Sequence, residues 1–245
     1  MKEENGSILL ELSHVSKNFG GLAAVDDVSM KIDEGEIVGL IGPNGAGKTT
    51  LFNLVTGFLP LDSGKIYFDK KDISNHYAYK ISQLDIGRTF QLPKIFNKMT
   101  IVENVMVGAL KKSNNTRQAR RKAMEILDFV GLADRGNSFP TSLTVAHRKQ
   151  LEVCRALATS PKLLLLDEII AGLTPKETVD MMGLIRKLSE RGITLFLIEH
   201  VMKFIMNISQ RVVVLHHGQK IADAPPSQIA NDERVIKAYL GKRTA

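Results

Sequence analysis

Gly42-Pro43-Asn44-Gly45-Ala46-Gly47-Lys48-Thr49 places glycines, a lysine and a hydroxyl at the spacing G-x-x-x-x-G-K-[ST]. Such glycines let the backbone turn inward so that successive N–H groups face one phosphate, and the following helix adds the positive end of its dipole. Lys48 is then placed to reach the outer phosphates of a nucleoside triphosphate and Thr49 to offer its hydroxyl to Mg²⁺. Thr50 follows as a further contact. A glycine turn without a ligand is the bland alternative. The position of the motif, between an apolar strand and an amphipathic helix, argues against it. A second group lies at Asp167-Glu168, directly after Leu163-Leu164-Leu165-Leu166. Carboxylates at the C-terminal end of a buried strand sit where open α/β sheets hold their ligands. Asp167 is expected to hold Mg²⁺ through water and Glu168 to act as general base toward the attacking water. An acidic pair after a strand is common on its own; the phosphate loop gives this one its weight.

These residues need elements to position them. Residues 8–12, 28–32 and 37–41 read as strands, the first two loosely alternating and the third almost wholly apolar, as a strand covered on both faces should be. A helix through 51–55 is stopped by Gly57, and 64–68 returns to strand. From about 92 to 158 the pattern is helical: Thr100 to Glu103 has capping-box spacing, and residues 115–130 form a basic amphipathic helix ending at Gly131. Thr174-Pro175-Lys176-Glu177 opens another helix with a cap, a first-turn proline and an acidic residue, and Gly192 stops it. Strands at 193–198 and 211–215, a turn at Gly218 and a short amphipathic helix complete the chain. Alternating strands and helices at both ends, with helices between, predict an α/β parallel-sheet core carrying an inserted helical subdomain.

Composition narrows the setting. The 245 residues suffice for one ordinary domain with a sizeable core, and 44% hydrophobic with 24% charged residues excludes general disorder. A net charge of +7 favours anionic partners without choosing among them. The basic cluster Lys111, Lys112, Arg117, Arg120, Arg121 and Lys122 has no interleaved aromatics, so it reads as a solvated helix face rather than a nucleic-acid surface. His216-His217 lacks a third ligand, and the methionines read as core filling. The lone Cys154 permits no internal disulfide, which suits a reducing cytosol. No apolar run reaches a membrane-spanning length and the N-terminus lacks a secretion signal, so any membrane attachment is expected through a partner.

Taken together, these residues resemble the ATP-binding subunit of an ABC transporter along essentially the whole chain. The resemblance implies a P-loop NTPase core with an N-terminal antiparallel β-subdomain and an inserted α-helical subdomain. Residues 1–245 then form one domain, with about 1–91 and 159–245 as nucleotide-binding core and about 92–158 as the helical part. It also implies that Phe19 stacks on adenine, that Gln91 of Arg88-Thr89-Phe90-Gln91 contacts Mg²⁺ and the attacking water, and that His200 meets the γ-phosphate. Arg88-Thr89-Phe90-Gln91, Ala171-Gly172-Leu173-Thr174-Pro175, Ile198-Glu199-His200-Val201-Met202-Lys203-Phe204 and the ending Ile236-Lys237-Ala238-Tyr239-Leu240-Gly241 look like the branched-chain amino-acid importer branch. ATP and Mg²⁺ are the implied cofactors. The implied partners are transmembrane permease subunits, a second ATPase chain (self or a relative) and, indirectly, a solute-binding protein. The implied place is the cytoplasmic face of the inner membrane, with no nucleic acid involved.

The chain departs from the pattern at the signature, where L-S-G-G-Q becomes Leu143-Thr144-Val145-Ala146-His147. In the family this segment caps the γ-phosphate of the opposite subunit. Thr144 keeps the hydroxyl and remains a good N-cap, and Ala146 keeps its N–H, while both glycines are gone. Ile169 replaces a proline after Glu168, and Thr174 replaces the final Asp or Asn of the D-loop. An ATP-sensing regulatory subunit, paired with a more active ATPase, is therefore the alternative to a hydrolysing one.

Overall fold

Unbroken runs of Val, Ile and Leu build the strands that lie covered on both faces, and alternating runs build those with one face in solvent. The computed structural model describes residues 7–91, 94–113 and 115–240, apart from the Leu240 side chain. The first half contains β1 (Ile8–Phe19), β2 (Leu22–Asp33), β3 (Ile37–Ile41), α1 (Lys48–Val55), β4 (Ser63–Phe68), β5 (Lys71–Asp72), α2 (Ala78–Ile81) and β6 (Ile86–Arg88). Three helices follow: α3 (Ile101–Ala109), α4 (Thr116–Val130) and α5 (Val145–Ala158). The chain ends through β7 (Leu163–Asp167), α6 (Pro175–Glu190), β8 (Thr194–Ile198), α7 (Met202–Ile208), β9 (Arg211–His216), β10 (Gln219–Ala224), α8 (Pro226–Ile229) and α9 (Glu233–Leu240).

Two sheets result. An antiparallel sheet has the order β2-β1-β4-β5, and a six-stranded sheet has the order β10-β9-β3-β8-β7-β6. In the latter the five strands from β9 to β6 are parallel and β10 is an antiparallel edge. Because side chains alternate along a strand, the large sheet divides the interior into two cores. Ile37, Ile41, Leu164, Leu166, Leu195 and Leu197 pack on one side with α3 to α7. Val38, Leu40, Leu163, Leu165, Phe196 and Ile198 pack on the other with α1 and the antiparallel sheet. All five positions of β3, β7 and β8 are buried. Among the described residues no helix is long and apolar enough to cross a membrane.

Several expectations need correction. β1 and β2 run seven residues past and six residues before the spans read from sequence, as a hairpin with register shifts around His14 and Asp27, whose φ values are 53° and 52°. Those kinks break the apolar alternation that marks a strand. β10 and α7 also escaped the reading: β10 is polar on its open edge, and α7 has only seven residues. Lys111 is not a solvated residue. Its ammonium donates to the Leu84 carbonyl at 2.6 Å, and Lys112 pairs with Asp85 at 2.8 Å, so this pair pins the helical insert to the segment before β6. The boundary read near residue 92 and Gly241 of the terminal motif lie outside the described residues.

Candidate functional site

The turn from β3 into α1 is shaped by two glycines that no other residue could replace. Gly42 has φ 153° and a Cβ there would lie 2.2 Å from the Leu215 carbonyl oxygen. Gly47 has φ 101° and a Cβ there would lie 2.2 Å from the Ala24 carbonyl oxygen. The loop is thus wedged between β9 and β2, and the Gly218 N–H adds a bond to the Ala46 carbonyl at 3.1 Å. Lys48 is buried, and its ammonium donates to the carbonyls of Gly42 and Pro43 at 2.7 and 3.0 Å. Burial lowers its pKa, while the carboxylates of Glu168 and Asp167 pull it back up. Asn44, Gly45 and Thr49 are exposed at the mouth, Pro43 and Thr50 half-buried, and Ala46 buried.

Asp167 ends β7 with its side chain 5% exposed. Burial raises its pKa, and the Arg88 guanidinium, 3.2 Å from Oδ2, opposes the rise. Arg88 also donates to Asn53 of α1 and to Thr56 just past its end, at 2.7 and 2.9 Å, and lies against the rings of Phe52, Phe58 and Phe90. Glu168 follows in a left-handed conformation, φ 48°, with its N–H on the Ile198 carbonyl. Its Oε2 accepts from Gln91 Nε2 at 2.7 Å, so the structure joins two of the residues singled out in the sequence. His200 is exposed just beyond β8, whose Ile198 stands beside Asp167 in register. Phe19 is 47% exposed at the tip of the β1–β2 hairpin.

Thr144 and Ala146 sit apart from this group. Thr144 is the N-cap of α5, its Oγ1 accepting from the His147 N–H at 3.3 Å, and Val145 and Ala146 form the first helical turn. No hydrogen bond joins them to residues 42–50 among the described residues, and a Cβ on Gly172 would lie 3.8 Å from the neighbouring Val145 Cγ1. Thr174, the replaced D-loop end, caps α6 in a full capping box with Glu177. Sequence reasoning missed Lys149 and Glu199. Lys149 on α5 is buried and donates to the Glu168 carbonyl at 2.6 Å. Glu199 is fully buried, accepts from the Ile170 N–H at 3.0 Å, and is pushed up to about 7 by burial. A charge closing an apolar strand was the available signal for Glu199; a lysine on the apolar face of an amphipathic helix was the signal for Lys149.

The chemistry of these groups suits a triphosphate with a hard cation. Lys48 is a buried cation that meets only backbone oxygens, and glycine-shaped backbone surrounds it. Asp167 Oδ1 makes no hydrogen bond among the described residues, and the Thr49 hydroxyl is exposed at the helix start. No group of three His, Cys, Asp or Glu residues able to hold a metal by itself exists among the described residues. Magnesium needs only one or two protein oxygens when phosphate supplies the rest.

Residues 25–171 match the ABC transporter family, and residues 219–245 match the branched-chain amino acid ATP-binding cassette transporter segment. The chain is 42% identical to the high-affinity branched-chain amino acid transport ATP-binding protein BraF of Pseudomonas aeruginosa, covering 96% of this chain and 98% of that one. It is 38% identical to the corresponding Escherichia coli protein LivG, at the same coverage. The ADP conformation of an ATP-binding cassette of an ABC transporter superposes with a TM-score of 0.87 at 32% identity, covering 96% of this chain and 99% of the other. A dimeric cassette in a post-hydrolysis state with ADP and Pi gives 0.80 at 26% identity, covering 89% and 99%. With its strand–loop–helix turn, its strand-end carboxylates and these matches, the chain belongs to the ABC transporter family as an ATP-binding cassette.

Proposed function

We propose that this chain hydrolyses ATP to drive an importer of branched-chain or similar amino acids through separate permease subunits. The observation that carries the reading is the joining of Gln91 to Glu168 beside a buried Lys48. In this reading Gly42, Pro43, Asn44, Gly45, Ala46, Gly47, Lys48, Thr49 and Thr50 hold the phosphates, and Phe19 takes the adenine. Thr49, Gln91 and Asp167 hold Mg²⁺, which when bound neutralises phosphate charge. Glu168 accepts the proton of the attacking water, Gln91 orients that carboxylate, and His200 donates to the γ-phosphate. Thr144 and Ala146 face the nucleotide of an opposite ATPase chain. The relatives' branched-chain substrate and the match at 219–245 support the solute class. The proposed place is the cytoplasmic face of the membrane, with permease and solute-binding protein as partners, and residues about 92–158 form the subdomain nearest the permease. The preserved helix start at Thr144 favours hydrolysis over a purely ATP-sensing role.

Glu168→Gln tests the mechanism. It should bind ATP with unchanged affinity, lose turnover on the order of 100-fold or more, and accumulate a closed dimer seen by size-exclusion chromatography. Undiminished turnover in that variant would remove Glu168 from the role of base. Uptake of labelled leucine by cells carrying Lys48→Ala tests the solute, since loss of that uptake alone ties the chain to it.

A further inference from the structure

Lys149 and Glu199 are buried ionisable side chains, a base and an acid, and each is aimed at a backbone atom of the turn that bears Glu168. Lys149, 7% exposed, lies on α5 five residues past Thr144, and its ammonium donates to the Glu168 carbonyl at 2.6 Å. Glu199, 0% exposed at the end of β8, accepts the Ile170 N–H at 3.0 Å. The Glu168 N–H is fixed on Ile198 at 2.9 Å. Neither Lys149 nor Glu199 forms an ion pair within 4.0 Å among the described residues, and Glu199 Oε2 has no hydrogen-bond partner there. A core position needing only volume takes an apolar side chain, because a buried charge carries a desolvation cost that needs compensating. Glu168 itself sits at φ 48°, a conformation that a residue with a side chain holds only when its surroundings fix it. The Glu168 N–H on Ile198 and the Ala171 N–H, 3.3 Å from the Glu168 carbonyl, hold part of that turn, and the two buried side chains add a bond on either side of Ile169.

We propose that Lys149 is a positioning residue for hydrolysis. It ties α5, and so the Thr144 end, to the backbone of Glu168, while Glu199 fixes the next peptide. The inference rests on the reading of Glu168 as general base. Its consequence is communication between sites. In the proposed function Thr144 faces the nucleotide of the opposite chain and Glu168 serves that of its own, and α5 carries both Thr144 and the Lys149 bond to the Glu168 carbonyl. Seating of α5 against one nucleotide then orients the carboxylate acting on the other.

The test uses the full chain, in its native assembly where the isolated chain turns over slowly. Lys149→Met should lower kcat on the order of 10- to 100-fold, the range expected for losing one charge-assisted hydrogen bond, with the ATP Kd within about twofold. Lys149→Arg, which keeps donor and charge, should recover most of that kcat. In the nucleotide-free chain, amide hydrogen exchange across residues 168–172 should speed up about tenfold or more in the Met variant, with α4 unchanged. A kcat within twofold of the parent, an equal loss in the Arg variant, or a loss lying wholly in ATP affinity would each overturn the proposal. Should the Met variant fail to fold, Lys149→Gln, which keeps an N–H donor without charge, is judged by the same kcat and Kd criteria. Normal turnover in Glu168→Gln would sink the general-base reading itself; an inactive Glu168→Gln beside a normal Lys149→Met sinks the link alone.

Discussion

Glu199 gives the chain a pH dependence that can be worked out in sign. Burial pushes its carboxyl up to about 7 from an ordinary 4.5, with Glu168 adding to the push and Lys149 and the N–H groups of Ile170 and His200 opposing it. An acid whose pKa rises on folding keeps its proton longer in the folded chain, so stability falls as pH climbs from about 4.5 through about 7 and then levels off. The whole span is worth up to about 3 kcal/mol. Glu199→Gln, which can still accept the Ile170 N–H, should match the parent near pH 4.5 and exceed it in stability at pH 8. Thermal unfolding without nucleotide, followed across that range, checks it; a stability gap that does not widen with pH refutes the assignment. The loop between β3 and α1 was legible because its backbone requirements are consecutive in sequence, those of Gly42 and Gly47 above all. Lys149 and Glu199 were not, because each acts on a turn far from it in sequence and no local spacing records the meeting.

Among the elements, α5 carries the altered signature and still begins at a capped residue. Val145 and Ala146 replace two glycines, yet both take helical backbone, and the Thr144 cap stands without them. Thr144→Ala should destabilise the chain by about 1 kcal/mol through loss of the cap. It should also lower turnover about tenfold without weakening ATP binding, and Thr144→Ser should restore both. Unfolding in urea and steady-state kinetics separate the two effects; a variant with full turnover would mean that the hydroxyl is a cap and nothing more. Helix ends were the most readable features of the sequence. The capping boxes at Thr100 and Thr174 and the left-handed Gly131 all stand where their residue types placed them. Strand ends were the least readable, because the bulges at His14 and Asp27 interrupt alternation without ending the pairing.

Across the whole molecule, β8, like β3, β7 and β9, sends side chains into both cores. Phe196 is fully buried on the side of α1, its ring 4.8 Å from that of Phe52, while Leu195 and Leu197 face the helices on the other side. Phe196→Ala should cost about 3–5 kcal/mol and loosen α1 and the loop before it along with the sheet. Calorimetry of the variant should show that loss, and ATP affinity should fall with it; a loss below about 1 kcal/mol would mean that the second core closes over the cavity. The order of the parallel sheet could not be read from the chain, since β3 pairs with β8 and β9, more than 150 residues away, and only packing decides those neighbours.

The phosphate loop is braced from behind by Leu215, Ala24 and Gly218, all backbone contacts that owe nothing to a bound nucleotide. Its ordering is therefore met during folding rather than at each encounter with ATP. Capture should run as a single bimolecular phase whose observed rate rises linearly with ATP concentration, without the plateau that a slow rearrangement of the loop would impose.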